Sequence, residues 1–180
     1  MKKYIGLVLV AMSGCILTVN AQQSFSYKNP LLPTELRVND LLGRMTLEEK
    51  IAQIRHLHSW DVFDGQILNQ EKLDKMCGGI GYGFFEGFPL TAASCRKTFR
   101  EIQTYMVEKT RLGIPGFPVA ESLHGVVHEG TTIYPQNIAM GSTFNPELAY
   151  EKTKHIAGEL NTMGVKQVLA PCIDVVRDLR

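Results

Sequence analysis

Apolar residues recur along this chain at helical spacing in four places and form short unbroken runs in three others. Thr34 can open a helix running to about Met45, with Val38, Leu41, Leu42 and Met45 on one face at i, i+3, i+4 and i+7. Thr46-Leu47-Glu48-Glu49 reads as a capping box, because the Thr hydroxyl and the Glu carboxylate can satisfy each other's free backbone N–H. A second helix follows it, with Leu47, Ile51 and Ile54 expected inward. Gly78 to Phe85 is glycine-rich and apolar and reads as a short, tightly packed strand. Thr91 caps a long helix to about Leu112, with Cys95, Phe99, Ile102 and Met106 on its face and Gly113 beyond its end. Phe117 to Ala120 is a second strand, and Pro135 to Met140 a short turn or helix. Asn145 caps and Pro146 starts a further helix with Ile156, Leu160 and Met163 buried and Gly164 ending it. Val168 to Ile173 is the third strand. Two helices followed by alternating strands and helices mean parallel strands joined by crossover helices. The expected fold class is α/β, as an incomplete (β/α)8 TIM-like barrel whose first three or so βα units follow two helices. A whole barrel of that kind takes about 250 residues, and this chain has 180.

The N-terminus reads as a targeting segment rather than as fold. Lys2 and Lys3 precede the apolar run from Tyr4 to Val19, and Val19-Asn20-Ala21 is a small-residue cleavage site. The expected organisation is a signal peptide over 1–21, an extended Pro- and Asn-bearing lead-in over 22–33, and a barrel domain over 34–180. Met12-Ser13-Gly14 before Cys15 loosely resembles a lipobox, but the apolar Ile16 to Val19 would stand where a polar tether is usual. A secreted or periplasmic location is therefore expected, with no membrane association after cleavage.

Composition changes the picture only by exclusion. The chain is 44% hydrophobic and 21% charged, an ordinary globular balance, with 19 basic and 18 acidic residues. That near-neutrality argues against a nucleic-acid partner, which calls for a basic excess. Beyond the signal segment stand Cys77, Cys95 and Cys172, too few and too irregular for a disulfide framework, although one bridge among them fits an oxidising compartment. His56 and His58 lie two apart on a helical or loop segment, and His124 and His128 flank Gly125, so no metal site is expected. The glycines around Gly81 put Glu86 where a dinucleotide fingerprint needs glycine, and Ser122 lies in no esterase elbow; no cofactor is expected.

The candidate chemistry sits at strand ends. Glu121 follows one strand; Asp174, Arg177 and Asp178 follow another. In a parallel barrel the C-terminal strand ends carry the active site. A carboxylate accepts several hydroxyls and an Arg fork donates to neighbouring ones, which suits a sugar. The alternative is an ion pair between Glu121 and Arg177 that braces the barrel top.

Three stretches resemble the N-terminal domain of glycoside hydrolase family 3, the β-glucosidase and β-xylosidase family. They are Arg37 to Ile51, with its double-helix opening; Arg111-Leu112-Gly113-Ile114-Pro115 through Glu121-Ser122-Leu123-His124-Gly125 to Tyr134-Pro135-Gln136; and Ala170-Pro171-Cys172-Ile173-Asp174-Val175-Val176-Arg177-Asp178. The resemblance implies exo-cleavage of terminal β-linked glucose or xylose from oligosaccharides or glycosides with retention. It also implies that Glu121 and Arg177 grip hydroxyls of the terminal sugar, that His124 orients the site and that Asp174 supports it. Leu179 stands where the family has proline. By the resemblance, the tryptophan-glycine-arginine continuation, a lysine–histidine sugar-binding pair, both catalytic carboxylates and a second domain fall beyond Arg180. No residue here is assigned as nucleophile or acid/base, and the chain alone is expected to be inactive. A non-catalytic secreted carbohydrate-binding remnant is the alternative reading.

Overall fold

The computed structural model describes residues 26–87 and 91–172, together with Val175 and Arg177. The stretch over 1–21 expected to be a signal peptide, and Asp174, lie outside the described residues. Two compact units are present, residues 1–43 and 44–180.

In the first unit a 3-10 turn, Ser26–Lys28, precedes helix α1, Thr34–Arg44. The Tyr27 amide donates to Asp40 Oδ2 at 3.0 Å, and Arg37 Nε donates to the Tyr27 carbonyl at 2.9 Å. The helix is where the periodicity placed it, but no residue of α1 is buried, and Val38 and Leu42 are exposed.

The second unit opens with α2, Leu47–Gln53, whose capping box is formed: Thr46 Oγ1 accepts from Glu49 N, and Glu49 Oε2 accepts from Thr46 N at 2.9 Å. Its inward face differs from expectation. Leu47, Ile51 and Ile54 are exposed, and Glu49 and Ala52 are buried instead. The cause is a partner far along the chain: Arg111 Nε donates to Glu49 Oε1 at 2.8 Å and its Nη2 donates to the Arg44 carbonyl at 2.8 Å. A buried carboxylate is tolerable only when it is paired in this way.

Next come β1, His56–His58, the single turn α3, Ser59–Val62, and a hairpin of β2, Phe63–Asp64, and β3, Ile67–Leu68. Helix α4, Gln70–Cys77, is capped by Asn69 Oδ1, which accepts from Lys72 N at 3.0 Å. None of these elements is evident from hydrophobic periodicity. The segment from Gly78 is a turn, with Gly78 left-handed at φ 54°, and the strand β4 is confined to Phe84–Glu86. Gly83 admits no side chain, because a Cβ there would collide with the Gln53 carbonyl at the end of α2.

The remaining elements are α5, Ala92–Lys109; β5, Phe117–Glu121; α6, Asn137–Gly141; α7, Pro146–Met163; and β6, Gln167–Leu169. Thr91 and Asn145 cap α5 and α7, accepting from Ser94 N and Leu148 N. Gly164 ends α7 at φ 94°. The expected faces are buried: Cys95, Phe99, Ile102 and Met106 on α5, and Ile156, Leu160 and Met163 on α7. They pack with Leu57, Leu73 and Phe85 into one core.

The sheet order is β1-β4-β5-β6, every neighbouring pair parallel. Each strand lies beside the next in chain order after a helical crossover, and the order never reverses. A doubly wound sheet has a reversal point; a singly wound barrel does not. The fold is thus α/β with a parallel sheet and fits part of a TIM-like barrel, with four described strands rather than three.

Candidate functional site

Because the four strands are parallel, their C-terminal ends, His58, Glu86, Glu121 and Leu169, share one end of the sheet. A cavity of about 450 Å3 opens there. Phe99, Val119 and Met163 give it an apolar wall, and His58, Trp60, Glu86, Glu121 and His128 give it polar and aromatic groups. Apolar walls with a few convergent polar groups are the usual composition of a small-molecule site.

Glu121 ends β5 and lines this cavity. Its backbone is fixed by pairing with Leu169 of β6, and its carboxylate forms no ion pair with Arg177 among the described residues. Arg177 is exposed and is not part of the cavity wall. His124 is half-buried, its carbonyl accepts from Tyr134 N at 2.8 Å, and its Nδ1 is buried without a hydrogen-bond partner. Gly125 beside it, at φ 105°, passes the Thr132 carbonyl too closely for any Cβ.

The cavity includes residues that the sequence pattern did not single out. Glu86 is the residue after the apolar run read as a strand, so the strand-end argument that found Glu121 applies to it equally. Its Oε1 lies 3.0 Å from His56 Nδ1 and 3.3 Å from His58 Nδ1. These are ion-pairing distances, but neither ring nitrogen is aligned for a hydrogen bond. The His58 ring stacks on the Trp60 indole, with centroids 4.3 Å apart and planes 7° apart. Below them His56 stacks on Phe84, and Phe84 on Phe117, across three neighbouring strands.

The shifted titrations belong to the scaffold. Arg111, as hydrogen-bond donor, holds the Glu49 carboxyl below its usual range, against the opposing effect of burial. Burial pushes the Cys77 thiol up to about 12 and Cys95 to about 11. Cys77, Cys95 and Cys172 are all free thiols, and no bridge joins any two of them. Burial lowers the Lys152 ammonium, which donates to the Pro135 carbonyl at 3.0 Å and to Asn137 Oδ1 at 2.9 Å. Among the described residues no three His, Cys, Asp or Glu side chains are placed to hold a metal ion, and no helix is long and apolar enough to cross a membrane.

The sequence model of the glycosyl hydrolase family 3 N terminal domain matches residues 46–180. A putative beta-xylosidase of Formosa agariphila is 32% identical over 163 residues, covering 88% of this chain and 22% of that protein. A periplasmic beta-glucosidase of Salmonella typhimurium is 28% identical over 180 residues, covering 99% of this chain and 22% of that protein. Among solved structures, a β-glucosidase from Erythrobacter marinus superposes with a TM-score of 0.71 at 27% identity, over 87% of this chain and 21% of its own. The chain spans about a fifth of the length of these relatives. With its parallel, singly wound sheet and a cavity at the C-terminal strand ends, the chain belongs to glycosyl hydrolase family 3.

Proposed function

We propose that this chain is part of a secreted or periplasmic, retaining exo-β-glycosidase that removes terminal β-linked glucose or xylose from oligosaccharides. The observation that carries the reading is Glu121, a carboxylate with no ion-pair partner among the described residues, at the C-terminal end of a parallel strand and in the wall of a cavity. Family membership and relatives named beta-xylosidase and beta-glucosidase support the reaction class. A relative named periplasmic supports the location, as do the lysines and apolar run at the N-terminus.

In this reading the chain supplies the substrate-holding part of the site. Retention requires two carboxyl groups about 5 Å apart, one forming the glycosyl–enzyme bond and one protonating the leaving oxygen. Neither is assigned to a residue of this chain, which spans about a fifth of the length of its relatives. Glu121 accepts hydrogen bonds from hydroxyls of the terminal sugar, and Arg177 donates to neighbouring ones. His124 orients the strand-end loop, and Asp174 supports the sugar side of the site. As the ring flattens toward its oxocarbenium-like transition state, bonds to hydroxyls beside the reacting carbon strengthen, which converts binding into rate.

The test is hydrolysis of aryl β-xyloside and aryl β-glucoside by the full-length protein, with the anomer of the first-formed sugar followed by NMR. Release of the β-anomer is expected; α-anomer, or no turnover on either substrate, overturns the proposal. Export is checked by the mass of the processed protein, which should begin at Gln22.

A further inference from the structure

We propose that Glu86 is a second hydroxyl-accepting carboxylate in the sugar pocket and that Trp60, lying on His58, is the platform against which the sugar ring packs. The inference rests on the glycosidase reading above.

The register places the two carboxylates on one face. Phe84 stands opposite Phe117 and Phe85 opposite Pro118, so Glu86 is level with Val119. Glu121 is two residues further along β5 and therefore on the same side of the sheet. With roughly 7 Å along the strand and roughly 5 Å across, the two backbones are separated by a span that one pyranose with hydroxyls on opposite edges can fill. Both side chains line the same cavity.

Glu86 is held but not used up. His56 and His58 approach the same oxygen, Oε1, and Oε2 accepts no hydrogen bond from a described residue. A carboxylate offers about four acceptor positions. A purely structural ion cluster would direct both oxygens into the scaffold; here the side chain remains 22% exposed, toward the cavity. His56 and His58, at ion-pairing distance from Oε1, are positioning residues beside the carboxylate at the end of β4.

Trp60 is 68% exposed and lines the cavity, with one indole face against the His58 ring. It is the single tryptophan of the chain. An indole fixed on one face and open on the other is a rigid, flat apolar surface with little entropy left to lose on binding. Glucose and xylose carry their ring hydroxyls equatorially in the β-chair, which leaves flat C–H faces for such a surface. An axial hydroxyl interrupts that face. The pocket should therefore select all-equatorial sugars over those with an axial 4-hydroxyl.

The experiment uses the full-length protein and the variants Glu86→Gln and Trp60→Ala. Hydrolysis of aryl β-xyloside, β-glucoside and β-galactoside is measured beside calorimetric titration with free xylose and glucose. Expected are a loss of about tenfold or more in kcat/KM for Glu86→Gln and a similar rise in the xylose Kd for Trp60→Ala, the range for a charge-assisted bond or a lost aromatic contact. Discrimination against the galactoside should shrink in Trp60→Ala. His58→Asn, which keeps an N–H near the position of Nδ1, should retain more activity than His58→Leu. Melting temperatures should be unchanged, since Trp60 is open to solvent and Gln is isosteric with Glu; if Glu86→Gln unfolds, Trp60→Ala decides. Folded variants that stay within about twofold of wild type, while Glu121→Gln is impaired, overturn this inference alone. A wild-type protein that neither hydrolyses nor binds these sugars overturns the glycosidase reading and this inference with it.

Discussion

Replacing Arg111 by methionine should destabilise the protein by about 2 kcal/mol at neutral pH. Glu49 is the inward residue of α2, with its side chain 6% exposed, and it serves two structures at once. It closes the capping box with Thr46 and receives Arg111, which also reaches the Arg44 carbonyl. Methionine keeps the apolar stem and removes the guanidinium, leaving a buried carboxylate with only the Thr46 amide. Removing one partner of a fully buried pair costs about 3–5 kcal/mol. The Arg111 side chain is 53% exposed, so water screens the pair and can partly replace it, which lowers the figure to about 2 kcal/mol. For a domain of this size that is about 4–8 °C in Tm. The pH dependence has a definite sign. Arg111 lowers the folded-state pKa of Glu49 below its unfolded value. The resulting stabilisation is complete above the unfolded value, about 4.3, and is lost as pH falls through the lowered folded value. Urea unfolding of wild type and Arg111→Met at pH 7 and again at pH 3 should show a gap that closes on acidification. A gap below about 0.5 kcal/mol at pH 7, or one equally large at pH 3, refutes the reasoning.

Two glycines should respond in opposite directions. Gly83→Ala forces α2 off the start of β4 and should cost about 3 kcal/mol, whereas a Cβ at Gly158 in α7 meets nothing within 4 Å and Ala there should add about 0.5–1 kcal/mol; denaturant midpoints distinguish them. Thiol labelling of the native chain carrying Cys15→Ser, which leaves Cys77, Cys95 and Cys172, with a disulfide reagent at pH 8 should modify the exposed Cys172 rapidly, and Cys77 and Cys95 only on unfolding, because burial keeps both protonated. Equal rates at all three would contradict the packing of α4 and α5.

The long helices were legible because α5 and α7 each present an uninterrupted apolar stripe between a side-chain cap and a definite stop. The same reasoning turned α2 the wrong way. Its three large apolar residues lie on the exposed side, and the burial of Glu49 is decided by an arginine 62 residues away, which no local pattern contains. β1 escaped notice for a related reason. His56-Leu57-His58 offers one apolar residue, yet alternating burial of Leu57 with two half-buried histidines is what a barrel strand shows when its other face points into the lumen. The glycines from Gly78 form a turn rather than a strand, and the strand is confined to Phe84–Glu86, so the apolar pattern does not mark Glu86 as its end. The place of Glu121 at the end of β5 was legible because both its strand and the motif after it are plain in the sequence. Asp174 lies outside the described residues, so its place rests on the resemblance.

The most direct test of the sugar-holding account is kcat/KM and Tm measured together on Glu121→Gln and Arg177→Ala in the full-length protein. Charge-assisted bonds that strengthen in the transition state should make each loss about 10²-fold. Tm should move little, because no ion pair joins the two groups among the described residues and neither becomes a buried orphan. Activity near wild type in both folded variants, or a clear fall in Tm with only a modest loss of activity, would contradict the account and leave these residues as braces of the barrel.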